Sequence, residues 1–218
     1  MRKSTYNMQN NRQNIIFLMF ISFIVGFNAH AQKSVNDFIK IDRIIANNDT
    51  IDFIRISNDH NERRPVVVFL PGSNPNPLLV KESNGNYFCL STGNFDVNKI
   101  AEKYHVIIPA QPHTPVMVKD TSHLNDQYAY ITDPENPYSF NIDFLKDNHL
   151  ENHAWRVRNL INYLKTKEYV DKGRLILLGH SQGGESLWKS QKILSDCMLW
   201  DCYHPVLKVV SQHLSPKS

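Results

Sequence analysis

Apolar and polar positions change rhythm several times along the chain, and each change predicts an element. Residues 38–45 and 51–56 are short apolar segments separated by Asn47-Asn48-Asp49, turn chemistry that predicts a β-hairpin. Pro65-Val66-Val67-Val68-Phe69-Leu70 is a continuous β-branched and aromatic run, too short for a helix and too apolar for an exposed edge, hence a buried strand. It runs into Pro71-Gly72-Ser73-Asn74-Pro75-Asn76-Pro77, a loop full of chain breakers. Val97, Ile100, Ala101 and Tyr104 fall at helical spacing behind Asn94 as cap, predicting a short helix over 95–104, and 105–110 reads as a second buried strand. Residues 111–147 hold prolines at 112, 115, 134 and 137 and little periodicity, which predicts a long loop or an inserted lid.

Leu150, Ala154, Val157, Leu160, Ile161 and Leu164 then trace one face of a helix over 150–166, ended by Val170-Asp171-Lys172-Gly173. A third buried strand over 174–178, a helix over 182–194 and a fourth strand over 206–210 complete the pattern. Strands alternating with helices predict an α/β fold, a mostly parallel sheet with flanking helices.

The amino terminus does not belong to that pattern. Arg2, Lys3 and Arg12 precede an apolar stretch over 15–27, and Ala29-His30-Ala31 offers a small-x-small cleavage site, so residues 1–31 read as an export signal and 32–218 as the mature domain. The stretch is shorter than the ~20 residues that span a bilayer, so the expectation is an exported protein, periplasmic or secreted, with no stable membrane span after cleavage. The formal charge of +3 rests on those three basic residues. Without them the chain is close to neutral, which removes the reason to expect a nucleic-acid partner. Cys197 and Cys202 could pair across a short loop, with Cys89 left over, or all three could stay reduced.

The chemistry gathers at Leu175-Ile176-Leu177-Leu178-Gly179-His180-Ser181-Gln182-Gly183-Gly184. Gly179 to Gly183 fits G-x-S-x-G between an apolar strand and a helix, the context that gives the pattern meaning. A serine on so sharp a turn needs unusual dihedrals and close backbone neighbours, which glycine at 179 and 183 permits. The helix behind it brings unpaired amides and a positive dipole end beside the hydroxyl, where an oxyanion would develop. With the upstream Val66-Val67-Val68-Phe69-Leu70-Pro71-Gly72-Ser73 and the helix ending in Tyr169-Val170-Asp171-Lys172-Gly173-Arg174, the sequence resembles the α/β-hydrolase superfamily over roughly 38–210.

That resemblance implies Ser181 as nucleophile toward an ester, thioester or amide. It implies Gln182 with Gly72 or Ser73 as the oxyanion hole, Gly179 and Gly183 as elbow glycines, a small acyl or peptide substrate, and no metal or organic cofactor. It also implies an acid and then a histidine on loops after later strands, and here the fold reads as C-terminally incomplete. Downstream of Ser181 the acids are Glu185, Asp196 and Asp201 and the histidines His204 and His213; Asp196 or Asp201 with His204 or His213 are the candidate partners. His180 reads as loop support. His149 and His153, spaced i, i+4, lack a third ligand and do not form the H-E-x-x-H pattern of a zinc site. Tyr128, Tyr130 and Tyr138 in the proline-rich segment suit either a ligand wall or ordinary loop packing. Two expectations follow: an exported serine hydrolase, or a degenerate hydrolase fold that binds a small ligand without turning it over.

Overall fold

The structure is a computed structural model that describes residues 38–47, 49–82, 85–90, 96–190 and 198–201. Its larger sheet runs in the order β1-β2-β6-β3-β8-β9: β1 (Ile39–Ala46), β2 (Asp49–Ile56), β6 (His105–Pro109), β3 (Arg64–Leu70), β8 (Val170–Gly179) and β9 (Met198–Asp201). The hairpin forms as the turn chemistry predicts, antiparallel, with Ala46 opposite Asp49 and Asn47 at φ 47°. Such a two-residue connection needs left-handed backbone, which asparagine tolerates. From β6 through β9 the pairings are parallel, and β2 joins them antiparallel through β6.

Alternation along β3 shows how the buried strands work. Val66, Val68 and Leu70 face one core with Ile107, Leu175 and Leu177, while Val67 and Phe69 face the other with Val106, Ile108 and Leu178. Both sides are covered, which is why the run is apolar throughout. Helix α1 (Val97–Ala101), between β3 and β6, packs Ala101 into the second core. Its cap is Asp96, whose carboxylate accepts from the Lys99 amide at 3.1 Å, not the expected Asn94, which lies outside the described residues. Helix α3 (Leu150–Lys165), between β6 and β8, buries Val157, Leu160, Ile161 and Leu164 in the first core. The last three are fully buried, each contributing about 1.5–3 kcal/mol. Helix α4 (Gln182–Ser190) follows β8 and adds Leu187 to that side.

Two expectations needed correction. β8 begins at Val170, so the segment expected to end a helix is already strand, with an irregularity where Arg64 and Val66 pair with Val170 and Leu175. Residues 111–147 carry structure: β7 (Met117–Val118), a 3-10 turn (Thr121–His123) and α2 (Ile142–Asp147), with β7 joining β4 (Leu79–Lys81) and β5 (Tyr87–Cys89) in a small sheet ordered β5-β4-β7. A parallel strand that the sequence reading did not mark is β9; the strand expected over 206–210 lies outside the described residues, along with residues 1–31, Asp196, Cys197, Cys202, His204 and His213. Among the described residues no helix is long and apolar enough to cross a membrane.

Candidate functional site

The strand order fixes where a ligand would bind. β3 is followed by β6 on one side and, after the crossover through α3, by β8 on the other, so the chain reverses direction of growth between β3 and β8. In open α/β sheets the crevice at the carboxyl ends of such strands is the binding site, because the two outgoing loops diverge to opposite faces. Leu70, the last residue of β3, is in register with Gly179, the last of β8. Pro71-Gly72-Ser73 and His180-Ser181 therefore leave the sheet side by side.

Ser181 has φ 55°, and it is exposed. A non-glycine residue in left-handed backbone is held there against a cost of about 1–2 kcal/mol. The surroundings show what holds it. The His180 amide donates to the Leu70 carbonyl at 3.0 Å, continuing the ladder past the strand, and the Gly183 amide donates to the His180 carbonyl at 3.0 Å. The Ser181 carbonyl accepts from Gly184 at 2.8 Å and Glu185 at 3.2 Å, opening α4 immediately. A Cβ at Gly179 would stand 2.5 Å from the Gly184 nitrogen, and one at Gly183 only 2.3 Å from the Leu70 oxygen. Both glycines are thus required by close backbone approach, as the motif implies. Among the described residues the Gln182 amide donates to no backbone carbonyl, at the positive end of α4.

The β3 loop reaches the serine. A Cβ built on Gly72 would lie 3.5 Å from the Ser181 Cβ and 3.5 Å from the His180 Cδ2. Three side-chain bonds tie this loop to the proline-rich segment and its end: Gln111 Nε2 donates to the Gly72 carbonyl and Asn148 Nδ2 to the Ser73 carbonyl at 3.1 Å, while Asn76 Nδ2 of the loop donates to the Gln127 carbonyl at 2.9 Å. His113, itself at φ 52°, sets Nε2 2.6 Å from Asp147 Oδ2 and so ties together the two ends that carry Gln111 and Asn148. Sequence reasoning missed all of these, because each holds a carbonyl or a partner far away along the chain.

Behind the loop is a small cavity of about 30 Å³, lined in part by Gln111, His153, Arg156, Gly183 and Ser186. The Arg156 guanidinium is buried, donating to Asp49 Oδ2 at 2.6 Å and to the Thr50 and Ala110 carbonyls at 3.2 and 3.3 Å. His153 sits 2.9 Å from Asn148 Oδ1, and burial, with Arg156 and His149 nearby, pushes its pKa down to about 4. His149 instead caps α3, its Nδ1 accepting from the Asn152 amide at 3.3 Å. The two histidines expected to share a helical face have separate structural tasks, and among the described residues no three His, Cys, Asp or Glu side chains are placed to hold a metal.

Of the acids downstream of Ser181, Glu185 is exposed on α4. Asp201 ends β9 in register with Gly179, so it stands at the carboxyl edge of a strand that follows β8. The candidates Asp196, His204 and His213 lie outside the described residues. Tyr128 and Tyr138 are exposed, with Tyr128 edge-on to Phe88 at 6.0 Å, and Tyr130 stacks on His123.

Strand order, crossovers and the strained serine elbow define an α/β-hydrolase-like fold. No family model and no curated protein matches the sequence. Solved structures similar in shape include an epoxide hydrolase of Vigna radiata (12% identity, TM-score 0.45, 80% of this chain and 41% of that one). Others are a bacterial membrane phospholipase A (13%, 0.42, 88% and 51%) and a glucuronoyl esterase from Solibacter usitatus (16%, 0.40, 74% and 46%). The chain spans about half or less of the length of each. With TM-scores below 0.5 these likenesses add nothing to the geometry, on which the fold assignment rests.

Proposed function

We propose that this protein is a serine hydrolase of the α/β-hydrolase type that cleaves an ester, thioester or amide through an acyl-serine intermediate, and that it works outside the cytoplasm. The observation that carries the reading is the exposed Ser181 at φ 55°, at the point where the sheet changes direction, with Gly72 against it. Strain of this kind persists only where the surroundings enforce it, and here two glycine contacts and a continued ladder enforce it on a residue whose hydroxyl can attack a carbonyl carbon.

The hydroxyl adds to the carbonyl carbon while a base takes its proton. The oxyanion forms against the Gln182 amide and the Gly72-Ser73 loop, and the leaving group departs with the proton; water then repeats the sequence on the acyl-enzyme. Asp201, in register with Gly179 at the carboxyl edge, serves in this reading as the orienting acid, with His204 or His213 as base. The test is hydrolysis of short-chain p-nitrophenyl esters. The reading expects turnover that Ser181→Ala removes and His204→Ala or His213→Ala lowers by several orders of magnitude. Turnover equal in wild type and Ser181→Ala overturns it, and a folded wild type that binds ester without cleaving it establishes the binding-protein alternative.

A further inference from the structure

In a trans peptide the carbonyl of one residue and the N–H of the next lie in one plane and point opposite ways. Fixing one therefore aims the other. The peptide bonds of the described residues are all trans, and the Gly72 carbonyl is held by Gln111, a side chain 5% exposed on the cavity side of the loop. The Ser73 N–H, on the far side of the same plane, therefore points away from Gln111, and both Ser73 and Ser181 are exposed. Among the described residues that amide donates to no backbone carbonyl, which leaves it available to a ligand.

Resting on the hydrolase reading above, in which the Gly72-Ser73 loop meets the oxyanion, we infer that Gln111 and Asn148 are the positioning residues that aim the Ser73 amide. Asn148 holds the next carbonyl, that of Ser73, so two consecutive peptide planes are set from the protein side. The holders are themselves held. Asn148 Oδ1 faces His153 Nε2 at 2.9 Å, Asn152 Nδ2 donates to the Asp147 carbonyl at 2.9 Å, and the His113–Asp147 pair joins the Gln111 end of the segment to the Asn148 end. A Pro-Gly-Ser loop has no ladder of its own, so without such bonds its peptide planes would rotate. An oxyanion donor stabilises the transition state only when fixed beforehand.

The test is the rate at which a fluorophosphonate phosphonylates Ser181, separated into the limiting rate constant and the apparent affinity. Gln111→Met removes the donor at equal length, and the limiting rate constant should fall tenfold or more with little change in affinity. Gln111→Glu donates only while protonated, so its rate relative to wild type should recover as pH falls from 8 to 5, a signature that loosened packing alone does not produce. Asn148→Leu and Asn148→Asp, at a less buried position, repeat the pair of measurements should the Gln111 variants not fold. Unchanged rate constants, or a loss in the Glu or Asp variant that is the same at every pH, overturn the inference while leaving the nucleophile intact. No labelling of wild-type Ser181 overturns the hydrolase reading itself and this inference with it.

Discussion

Gly183 lies in the first turn of α4, where helix propensity alone favours alanine over glycine by about 1 kcal/mol. The structure argues the opposite sign. A Cβ there would stand 2.3 Å from the Leu70 oxygen and 2.8 Å from the Pro71 oxygen, both backbone atoms that no rotamer change can move. Reaching ordinary contact requires the β3 loop and the elbow to separate by about 1 Å, and forced overpacking of this sort costs roughly 1–3 kcal/mol, the upper end applying to backbone against backbone. Set against the propensity gain, Gly183→Ala should lose about 2 kcal/mol. For a domain of this size that is a fall of about 4–8 °C in Tm, read by circular dichroism. Moving the oxyanion loop by 1 Å should also slow phosphonylation of Ser181 by about 10²-fold. Gly72→Ala is the control: its Cβ would meet Ser181 and His180 at 3.5 Å, ordinary contact, and Tm should stay within about 2 °C of the parent. A Gly183→Ala protein melting at or above the parent would refute the close approach of loop to elbow.

The strain at Ser181 should be visible without any substrate: Ser181→Gly, which accepts φ 55°, should be more stable than Ser181→Ala by about 1 kcal/mol in urea unfolding, and equal midpoints would deny the strain. Gln182 contributes its backbone amide to the site while its Oε1 is buried with no hydrogen-bond partner among the described residues. Gln182→Leu should therefore be neutral or slightly stabilising and leave labelling of Ser181 unaffected, whereas a loss above about 1 kcal/mol would show that the side chain is needed. His105 is buried, its pKa lowered by that burial and by Arg55 and Arg64, and His153 titrates near 4, so both fold as neutral imidazoles. Their folded pKa values lie below the unfolded value of about 6.5, so the stability they carry is complete above that pH and is lost as pH falls below it, for His153 down to about 4. Urea midpoints should drop between pH 7.5 and 5, above the range where Glu151, held near 2 chiefly by Lys189, becomes protonated in the unfolded chain; a flat profile over that interval contradicts the assignment.

Much of the fold was legible because it rests on local periodicity. The continuous Val66–Leu70 run signals a strand covered on both faces, and the spacing through Leu164 marks one face of α3, including where it packs. The elbow was legible for a different reason: close approach of backbone to backbone admits only glycine, and a constraint on residue type can be read in any sequence. What escaped was set by distance along the chain. Gln111 and Asn148 grip carbonyls of residues 72 and 73, and nothing in their own neighbourhoods marks them. Arg156 looks like a polar member of an amphipathic helix, yet it is buried because Asp49 and two carbonyls, contributed by the hairpin and by the residue after β6, meet it. β9 escaped because the Met198-Leu199-Trp200 run is too short to stand out, and only its pairing with Ile176, Leu177 and Leu178 makes it a strand. The proline-rich segment likewise has no period of its own, since β7 takes its form from pairing with β4.

The claim on which the functional reading stands is that Ser181 is a nucleophile. Its most direct test is treatment of the folded protein with a fluorophosphonate, followed by mass spectrometry of the intact chain and of its peptides. One adduct per chain, carried on the peptide that contains Ser181 and absent from Ser181→Ala, is the result the account predicts. Unmodified wild-type protein, or an adduct that persists in Ser181→Ala, would contradict it.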